Sequence, residues 1–170
     1  MNKNLKSISY SLSDSALGKI AVAKNTNGLC AVLFGNSFPE LRKELQTRFS
    51  DAKLVEDSAG LKGDTREVLR HIASPNRAFR LPLDPEGTPF QKSVWKALRK
   101  IPYGEISNYS LIAQSIGAPK AVRAVAQACG ANPIAIIIPC HRVLRKDGNL
   151  SGYRWGVKRK QALLRAEGAR

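Results

Sequence analysis

The sequence contains few of the residues that build disulfide frameworks, metal sites and membrane spans. Its 170 residues include three cysteines and two histidines, and no cysteine pair has CxxC spacing. We therefore expect neither a disulfide scaffold nor a metal site. No apolar run approaches the about 18 residues that a membrane span needs. Residues 1–7 lack the apolar stretch of a signal peptide, so we expect a cytoplasmic protein without membrane association.

Acidic residues are also scarce, and their deficit is uneven along the chain. There are 28 Lys and Arg against 13 Asp and Glu, a formal net charge of +15. Residues 1–85 hold 13 basic and 9 acidic side chains, whereas residues 86–170 hold 15 basic and 4 acidic ones. Because Lys and Arg bind phosphates, this excess predicts that the second half binds nucleic acid. A solvated basic surface or a membrane-facing patch would carry the same charge.

The first half predicts an α/β domain. Short apolar or β-branched segments separated by turn residues predict an antiparallel meander of three strands, at 8–12, 19–23 and 29–34. Apolar residues at helical spacing predict two helices, one through Leu41, Leu45 and Phe49 and one through Val68, Leu69 and Ile72. Composition changes at a predicted connector, 81–87. We therefore place a boundary near residue 85, between a structural N-terminal domain, 1–85, and a C-terminal domain, 86–170.

The second half predicts helices. Thr88 and Gln91 have the spacing of a capping box at a helix start. Two further helices are predicted at 107–116 and 119–129, and their tight, glycine-containing junction is typical of a helix-turn-helix. The second of them is mostly Ala and Val, which favours contact with DNA that does not depend on base sequence. A turn at 145–149 and a final helix at 157–167 complete the predicted elements.

Cys140 lies at an abrupt change of predicted structure. A buried extended run at 134–138 precedes it, and His141 follows it. Nearby helix N-termini and basic side chains would favour the thiolate, which is the nucleophilic form of cysteine. Neighbouring side chains of an extended segment point to opposite sides. A direct Cys–His hydrogen bond is therefore not expected, and the two groups would communicate through a water. A structural buried thiol is the alternative.

The residues around Cys140 also resemble a known active site. Pro139-Cys140-His141-Arg142, preceded by the isoleucine run and by Gly130-Ala131-Asn132-Pro133, resembles the motif of O6-alkylguanine-DNA alkyltransferases. Four more segments resemble that family in order: 104–109, 119–125, 151–156 and 163–168. The segment 151–156 resembles the bacterial form of the binding loop, as in the C-terminal half of the adaptive-response protein. The resemblance implies a ribonuclease-H-like α/β N-terminal domain without a catalytic role. It also implies a mainly α, winged-helix-like C-terminal domain with a helix-turn-helix, which binds DNA and carries the alkyltransferase site.

The resemblance implies five catalytic roles. Cys140 would accept the alkyl group, and His141 would act as general base through a water. Glu167 would orient His141, and Asn132 would hold the turn before the cysteine. Tyr109 would donate to N3 of the guanine.

The resemblance also implies which residues bind DNA and the flipped base. Arg123 would fill the space that the base leaves, in the minor groove, beside Lys120, Ala121, Ala124 and Tyr109. The residues of the substrate pocket would be Pro139, Val143, Tyr153, Arg154 and Trp155. Because Trp155 is bulky where some relatives are small, we expect bulky adducts such as O6-benzylguanine to fit poorly.

The implied function is DNA repair by direct reversal. The methyl group of O6-methylguanine, and of O4-methylthymine, in double-stranded DNA would pass irreversibly to Cys140. The protein would act once, as a monomer, without cofactor or metal. The N-terminal zinc site of some relatives and the methylphosphate-sensing half of the adaptive-response protein have no counterpart here. Two alternatives stay open: a non-catalytic lesion-binding relative, although such proteins lack the acceptor cysteine, and a helix-turn-helix regulator.

Overall fold

The chain forms two compact units, Met1–Pro85 and Glu86–Arg170. The computed structural model describes residues 6–169, so residues 1–5, on which part of the signal-peptide expectation rests, lie outside it. Within the described range, no helix combines the length and the apolar character needed to cross a bilayer.

A four-stranded sheet is the centre of the N-terminal unit, with strand order β3-β2-β1-β4. Its strands are β1 (Lys6–Ser15), β2 (Gly18–Lys24), β3 (Leu29–Gly35) and β4 (Ala52–Glu56). The first three pair antiparallel, which confirms the predicted meander. The fourth pairs parallel with β1 at the sheet edge and was missed. Its five residues are mostly exposed and mix charged with apolar side chains, so no period-2 pattern marks it.

Two helices lie against this sheet, at the predicted positions: α1 (Phe38–Arg48) and α2 (Lys62–Ala73). Ser37 caps α1, because its Oγ accepts a hydrogen bond from the Glu40 amide. Leu41 and Leu45 of α1 are fully buried. In α2 the buried positions are Val68 and His71, whereas Leu69 and Ile72 are half-buried.

The predicted connector is bonded to the sheet along part of its length. The Leu29 amide donates to the Pro82 carbonyl at 2.9 Å, and the Asp84 amide donates to the Leu29 carbonyl at 2.7 Å. The backbones approach so closely that a Cβ on Gly28 would lie 2.5 Å from the Pro82 oxygen. Residues up to Asp84 therefore belong structurally to the N-terminal unit.

The C-terminal unit is mainly helical, as predicted. Its elements are α3 (Pro89–Leu98), β5 (Ser107–Asn108), α4 (Tyr109–Ser115), α5 (Val122–Gly130), β6 (Val143–Leu144) and α6 (Val157–Glu167). The predicted capping box opens α3, since Thr88 and Gln91 exchange hydrogen bonds. The Trp95 indole donates to the Ala128 carbonyl at 2.8 Å and ties α3 to α5. The helix α6 has the predicted bounds, and Gly168 ends it in the left-handed conformation.

The helix-turn-helix is present, but both helices start later than predicted. Ser107 and Asn108 pair with β6 as a short parallel strand, and the Asn108 side chain then caps α4. Gly117, at φ +73°, allows the turn. The predicted start of the second helix at Pro119 is wrong, because a hydrogen-bonded turn precedes α5, which begins at Val122.

Candidate active site

A cavity of about 460 Å³ opens in the C-terminal unit. This volume lies within the range of about 300–1,000 Å³ that is usual for small-molecule sites. Its wall combines two thiols, two phenols and two guanidinium groups with small residues: Cys129, Cys140, Tyr109, Tyr153, Arg145, Arg154, Ala126, Gly130, Ser151 and Gly152.

A buried turn leads into the cavity at the segment 134–138. The expectation of an extended run is wrong, although the burial is as predicted. Ile136 takes φ +67°, which costs a β-branched residue about 1–3 kcal/mol unless surrounding contacts fix it. Asn132, fully buried, provides two such contacts. Its Nδ2 donates to the Ile138 carbonyl at 2.8 Å, and its Oδ1 accepts from the Ile134 amide at 2.9 Å.

Cys140 lies at the end of this turn, and the residue as a whole is 5% exposed. Asn132 Nδ2 also donates to its Sγ, at 3.2 Å. Burial raises the pKa of Cys140, and the Asn132 hydrogen bond and the charges of Lys160 and Arg154 offset only part of that rise. The thiol is therefore protonated at neutral pH, and a nucleophilic reaction requires a base.

Three ionisable side chains form a buried cluster behind the cysteine. His141 Nε2 lies 2.8 Å from Glu167 Oε1. Arg142 makes a two-pronged contact with the same carboxylate, through Nε at 2.8 Å and Nη2 at 3.0 Å, and its Nη1 donates to the Ile101 carbonyl. Burial raises the pKa of Glu167, but the hydrogen bonds from His141 and Arg142 outweigh it and lower that pKa to about 2. Glu167 is therefore ionised at neutral pH.

This cluster fixes the protonation of the histidine. Burial lowers the pKa of His141 more than the neighbouring carboxylate raises it, so the imidazole is neutral at rest. Since Glu167 is ionised, its partner Nε2 carries the hydrogen. Nδ1 then has a lone pair, and it is buried without a hydrogen-bond partner among the described residues. His141 can therefore accept a proton at Nδ1. His141 lies on a 3₁₀ turn, Cys140–Arg142, rather than on the extended backbone that the sequence predicted.

Four of the five residues predicted to bind DNA lie around the start of α5, whereas the fifth, Tyr109, is the first residue of α4 and lines the cavity. Arg123 is exposed in its first turn, and Ala124 follows half-buried. Lys120 and Ala121 precede the helix, in the turn that shortens it. This end of α5 therefore presents two exposed basic side chains, Lys120 and Arg123, beside small neighbours.

Only two of the five predicted pocket residues line the cavity. Tyr153 and Arg154 do, whereas Pro139, Val143 and Trp155 are buried outside that lining. The Trp155 ring packs edge-to-face on Tyr153, with centroids 5.3 Å apart. The Arg154 guanidinium lies 5.8 Å from the centroid of the same ring, so Trp155 contacts both predicted pocket residues that line the cavity. The Tyr153 hydroxyl is buried and has no partner among the described residues.

Two polar residues in this region were missed by the sequence analysis. Lys160 is fully buried, and its Nζ donates to the Val143 carbonyl at 2.7 Å and to Ser151 Oγ at 3.0 Å. Helical spacing could have indicated its burial, because Lys160 lies three and seven residues before the buried Leu163 and Glu167. Arg142 was also missed, and only its adjacency to His141 marked it. Within residues 6–169, no group of three or more His, Cys, Asp or Glu side chains could hold a metal ion.

Both halves of the chain match models of one protein family. Residues 8–85 match "6-O-methylguanine DNA methyltransferase, ribonuclease-like domain". Residues 89–169 match "6-O-methylguanine DNA methyltransferase, DNA binding domain". These two matches confirm the predicted fold class.

Individual relatives agree with the family matches. The "Bifunctional transcriptional activator/DNA repair enzyme Ada" of Escherichia coli is 50% identical over 94% of this chain, which spans only 45% of that protein's length. The "Methylated-DNA--protein-cysteine methyltransferase" of Methanosarcina acetivorans is 42% identical over 94% of this chain and 98% of its own. A crystal structure of Mycobacterium tuberculosis OGT in complex with DNA superposes with a TM-score of 0.78, at 38% identity, covering 94% of this chain and 92% of that one.

Proposed function

The chain belongs to the 6-O-methylguanine DNA methyltransferase family, and on this premise we propose that it repairs methylated DNA by direct reversal. It transfers the methyl group of O6-methylguanine, and of O4-methylthymine, to its own Cys140. One observation carries this assignment to Cys140. The thiol lines a cavity, receives a hydrogen bond from Asn132 and stands next to a histidine poised as a base by a buried carboxylate.

Activation begins with the proton of Cys140. His141 takes it at Nδ1 through a water, and the ionised Glu167 stabilises the imidazolium that forms. Arg142 holds the carboxylate in place from its other side. The thiolate then attacks the methyl carbon, the S–C bond forms, and the C–O6 bond breaks with its electron pair going to the guanine.

The leaving guanine needs a proton, and Tyr109 is placed to donate one. Its side chain lines the same cavity as Cys140. Burial raises the pKa of Tyr109, so the phenol keeps its proton until the guanine becomes basic. The product is a thioether without a good leaving group. Each molecule therefore reacts once, without a cofactor.

Binding to duplex DNA follows from charge and from the small residues of α5. A base stacked inside the DNA double helix cannot reach a buried thiol, so the methylated nucleotide must be flipped out of the base stack. Arg123 enters the minor groove and fills the space left behind, with Lys120, Ala121 and Ala124 close to the backbone. We expect the protein to bind DNA as a monomer. Its cytoplasmic location stays a prediction.

Transfer of a radiolabelled methyl group from DNA to protein tests this function. We expect one methyl group per molecule, located on Cys140 by peptide mass spectrometry. Cys140→Ala should abolish transfer and retain DNA binding. Cys129→Ala is the matched control, because that thiol lines the same cavity, and it should still accept one methyl group. Binding without transfer in the wild type would instead indicate a lesion-binding protein or a regulator.

A further inference from the structure

Lys160 is a buried cation without an anionic partner. Its side chain is fully buried in α6, and no carboxylate within residues 6–169 forms an ion pair with it. Its two hydrogen bonds go to the Val143 carbonyl and to Ser151 Oγ. A buried ammonium group with neutral partners is costly, so stability alone does not account for this residue.

A chain of hydrogen bonds connects this ammonium group to the cavity. Ser151 Oγ, which accepts from Lys160 Nζ, is also hydrogen-bonded to Tyr109 Oη. An ammonium group only donates, and a hydroxyl has one hydrogen to donate. When Ser151 donates to Tyr109, the phenol hydrogen is left to point into the cavity that both residues line.

We propose that Lys160 supplies the proton for the leaving guanine, by relay through Ser151 and Tyr109. The inference rests on the proposed function. As the C–O6 bond breaks, a guanine ring nitrogen takes the Tyr109 proton. Tyr109 takes the Ser151 proton, and Ser151 takes one from Lys160. Lys160 is left as a neutral amine and regains its proton from water, while the Cys140 proton has gone separately to His141.

The surroundings of Lys160 favour giving up a proton. Burial lowers the pKa of Lys160, and the thiols of Cys140 and Cys129 offset only part of that decrease. The other titratable groups that face it are His141, whose pKa its charge helps to lower, and Tyr109 beyond Ser151. In this relay Ser151 and Lys160 act through Tyr109, so they are positioning residues.

Two reagents with different leaving groups separate this relay from an effect on the thiol. O6-methylguanine in duplex DNA releases a guanine that needs a proton, whereas iodoacetamide alkylates Cys140 and releases iodide, which needs none. For Ser151→Ala we expect the single-turnover rate at saturating DNA to fall by about 100-fold, the usual scale of acid catalysis. The half-saturating DNA concentration and the iodoacetamide rate should not change. Ser151→Thr keeps the hydroxyl and should restore the rate.

A second variant tests the source of the proton. Lys160→Met should lower the rate of methyl transfer to a similar extent, and the double variant with Ser151→Ala should be no slower than either single one. Lys158→Met on the exposed side of the same helix is the matched control and should react like the wild type. If Lys160→Met does not fold, the comparison of Ser151→Ala with Ser151→Thr alone tests the relay.

Three results would overturn the relay. The first is a wild-type rate of methyl transfer in Ser151→Ala. The second is an equal loss with iodoacetamide, which would place the effect on the thiolate. The third is a failure of Ser151→Thr to recover. Failure of the proposed function looks different, because the wild type itself would then not take methyl groups from DNA while still reacting with iodoacetamide.

Discussion

The ion pairs of the N-terminal unit stay at least partly exposed to water, whereas the C-terminal unit buries several charged side chains. Arg42 and Glu56 pair in the first unit with side chains 43% and 39% exposed. Arg142, Lys160 and Glu167 in the second unit are at most 6% exposed. Exposed pairs contribute little to stability because water and salt screen them. Buried charges each lose several kcal/mol of hydration. Among residues 6–169, burial of Lys, Arg, Asp and Glu side chains is confined to the C-terminal unit, and its cost in hydration favours a chemical role for these groups.

The largest expected effect is at Glu167. Glu167→Gln keeps the shape but leaves the Arg142 guanidinium buried without its anion, so the free energy of unfolding should fall by about 3–5 kcal/mol. The methyl-transfer rate should fall by at least about 100-fold, because no negative charge then stabilises the His141 imidazolium. Urea unfolding and single-turnover assays measure the two quantities. Glu105→Gln, at an exposed carboxylate of the same unit, is the control. If Glu167→Gln were as stable as the wild type, the buried charges of the C-terminal unit would matter no more to stability than the exposed pairs of the N-terminal unit.

Acid should act on the same carboxylate. The pKa of Glu167 is about 2 in the folded protein against an ordinary value of 4.5. A lowered pKa stabilises the fold above the ordinary value, and that stabilisation is lost as pH falls from about 4.5 towards 2. Urea unfolding across this window should show a steeper loss for the wild type than for Glu167→Gln. Parallel curves would mean that Glu167 does not carry this pH dependence.

A smaller effect is expected at Arg123, a surface charge of the C-terminal unit. Arg123→Ala should lower the rate of methyl transfer from duplex DNA about tenfold, which corresponds to about 1.4 kcal/mol in activation free energy. The reason is that no side chain then occupies the space that the flipped base leaves in the duplex. Binding to undamaged duplex should weaken less. Lys120→Ala is the comparison, since loss of a single phosphate contact should lower the slope of log affinity against log salt by about 1. Equal losses of repair and binding at Arg123 would make it a phosphate contact only.

The smallest effect is expected in the N-terminal unit. Glu56→Gln removes the negative charge that pairs with Arg42 and that accepts a hydrogen bond from Tyr10. Its free energy of unfolding should match the wild type within the extrapolation error of about 10–15%. Methyl transfer should not change. A measurable loss of transfer would show that the surface charges of this unit matter to the reaction.

Elements with a local signal could be predicted from the sequence. The helix α6 has both an apolar stripe and a terminal glycine, and its bounds are as predicted. The capping box at Thr88 is likewise a property of four consecutive residues. The strand β4 has no such signal, because its place depends on pairing with a strand about 46 residues earlier in the chain.

The candidate site was harder to predict because its geometry is tertiary. A run of isoleucines predicts extended backbone, yet Asn132 holds this one in a turn through two hydrogen bonds. No pattern of residue types encodes a left-handed Ile136. Lys160 was overlooked because lysine is rarely fully buried, although its helical position matched the buried face. Residue types indicated the chemistry of Cys140 and His141, and the family resemblance added Glu167. The guanidinium group of Arg142 and the ammonium group of Lys160 became apparent only in the fold.

The start of α3 has a consequence for how the chain can be divided. Thr88 and Gln91 satisfy each other's backbone groups, so this helix begins without help from anything upstream. Asp84 is hydrogen-bonded to Leu29, so the first unit needs the chain as far as that residue. Dividing the chain between Asp84 and Thr88 would leave the hydrogen bonds of the sheet and the capping box of α3 both intact. Cutting before Pro82 would leave the Leu29 backbone without its partners, and cutting after Thr88 would leave α3 without its cap.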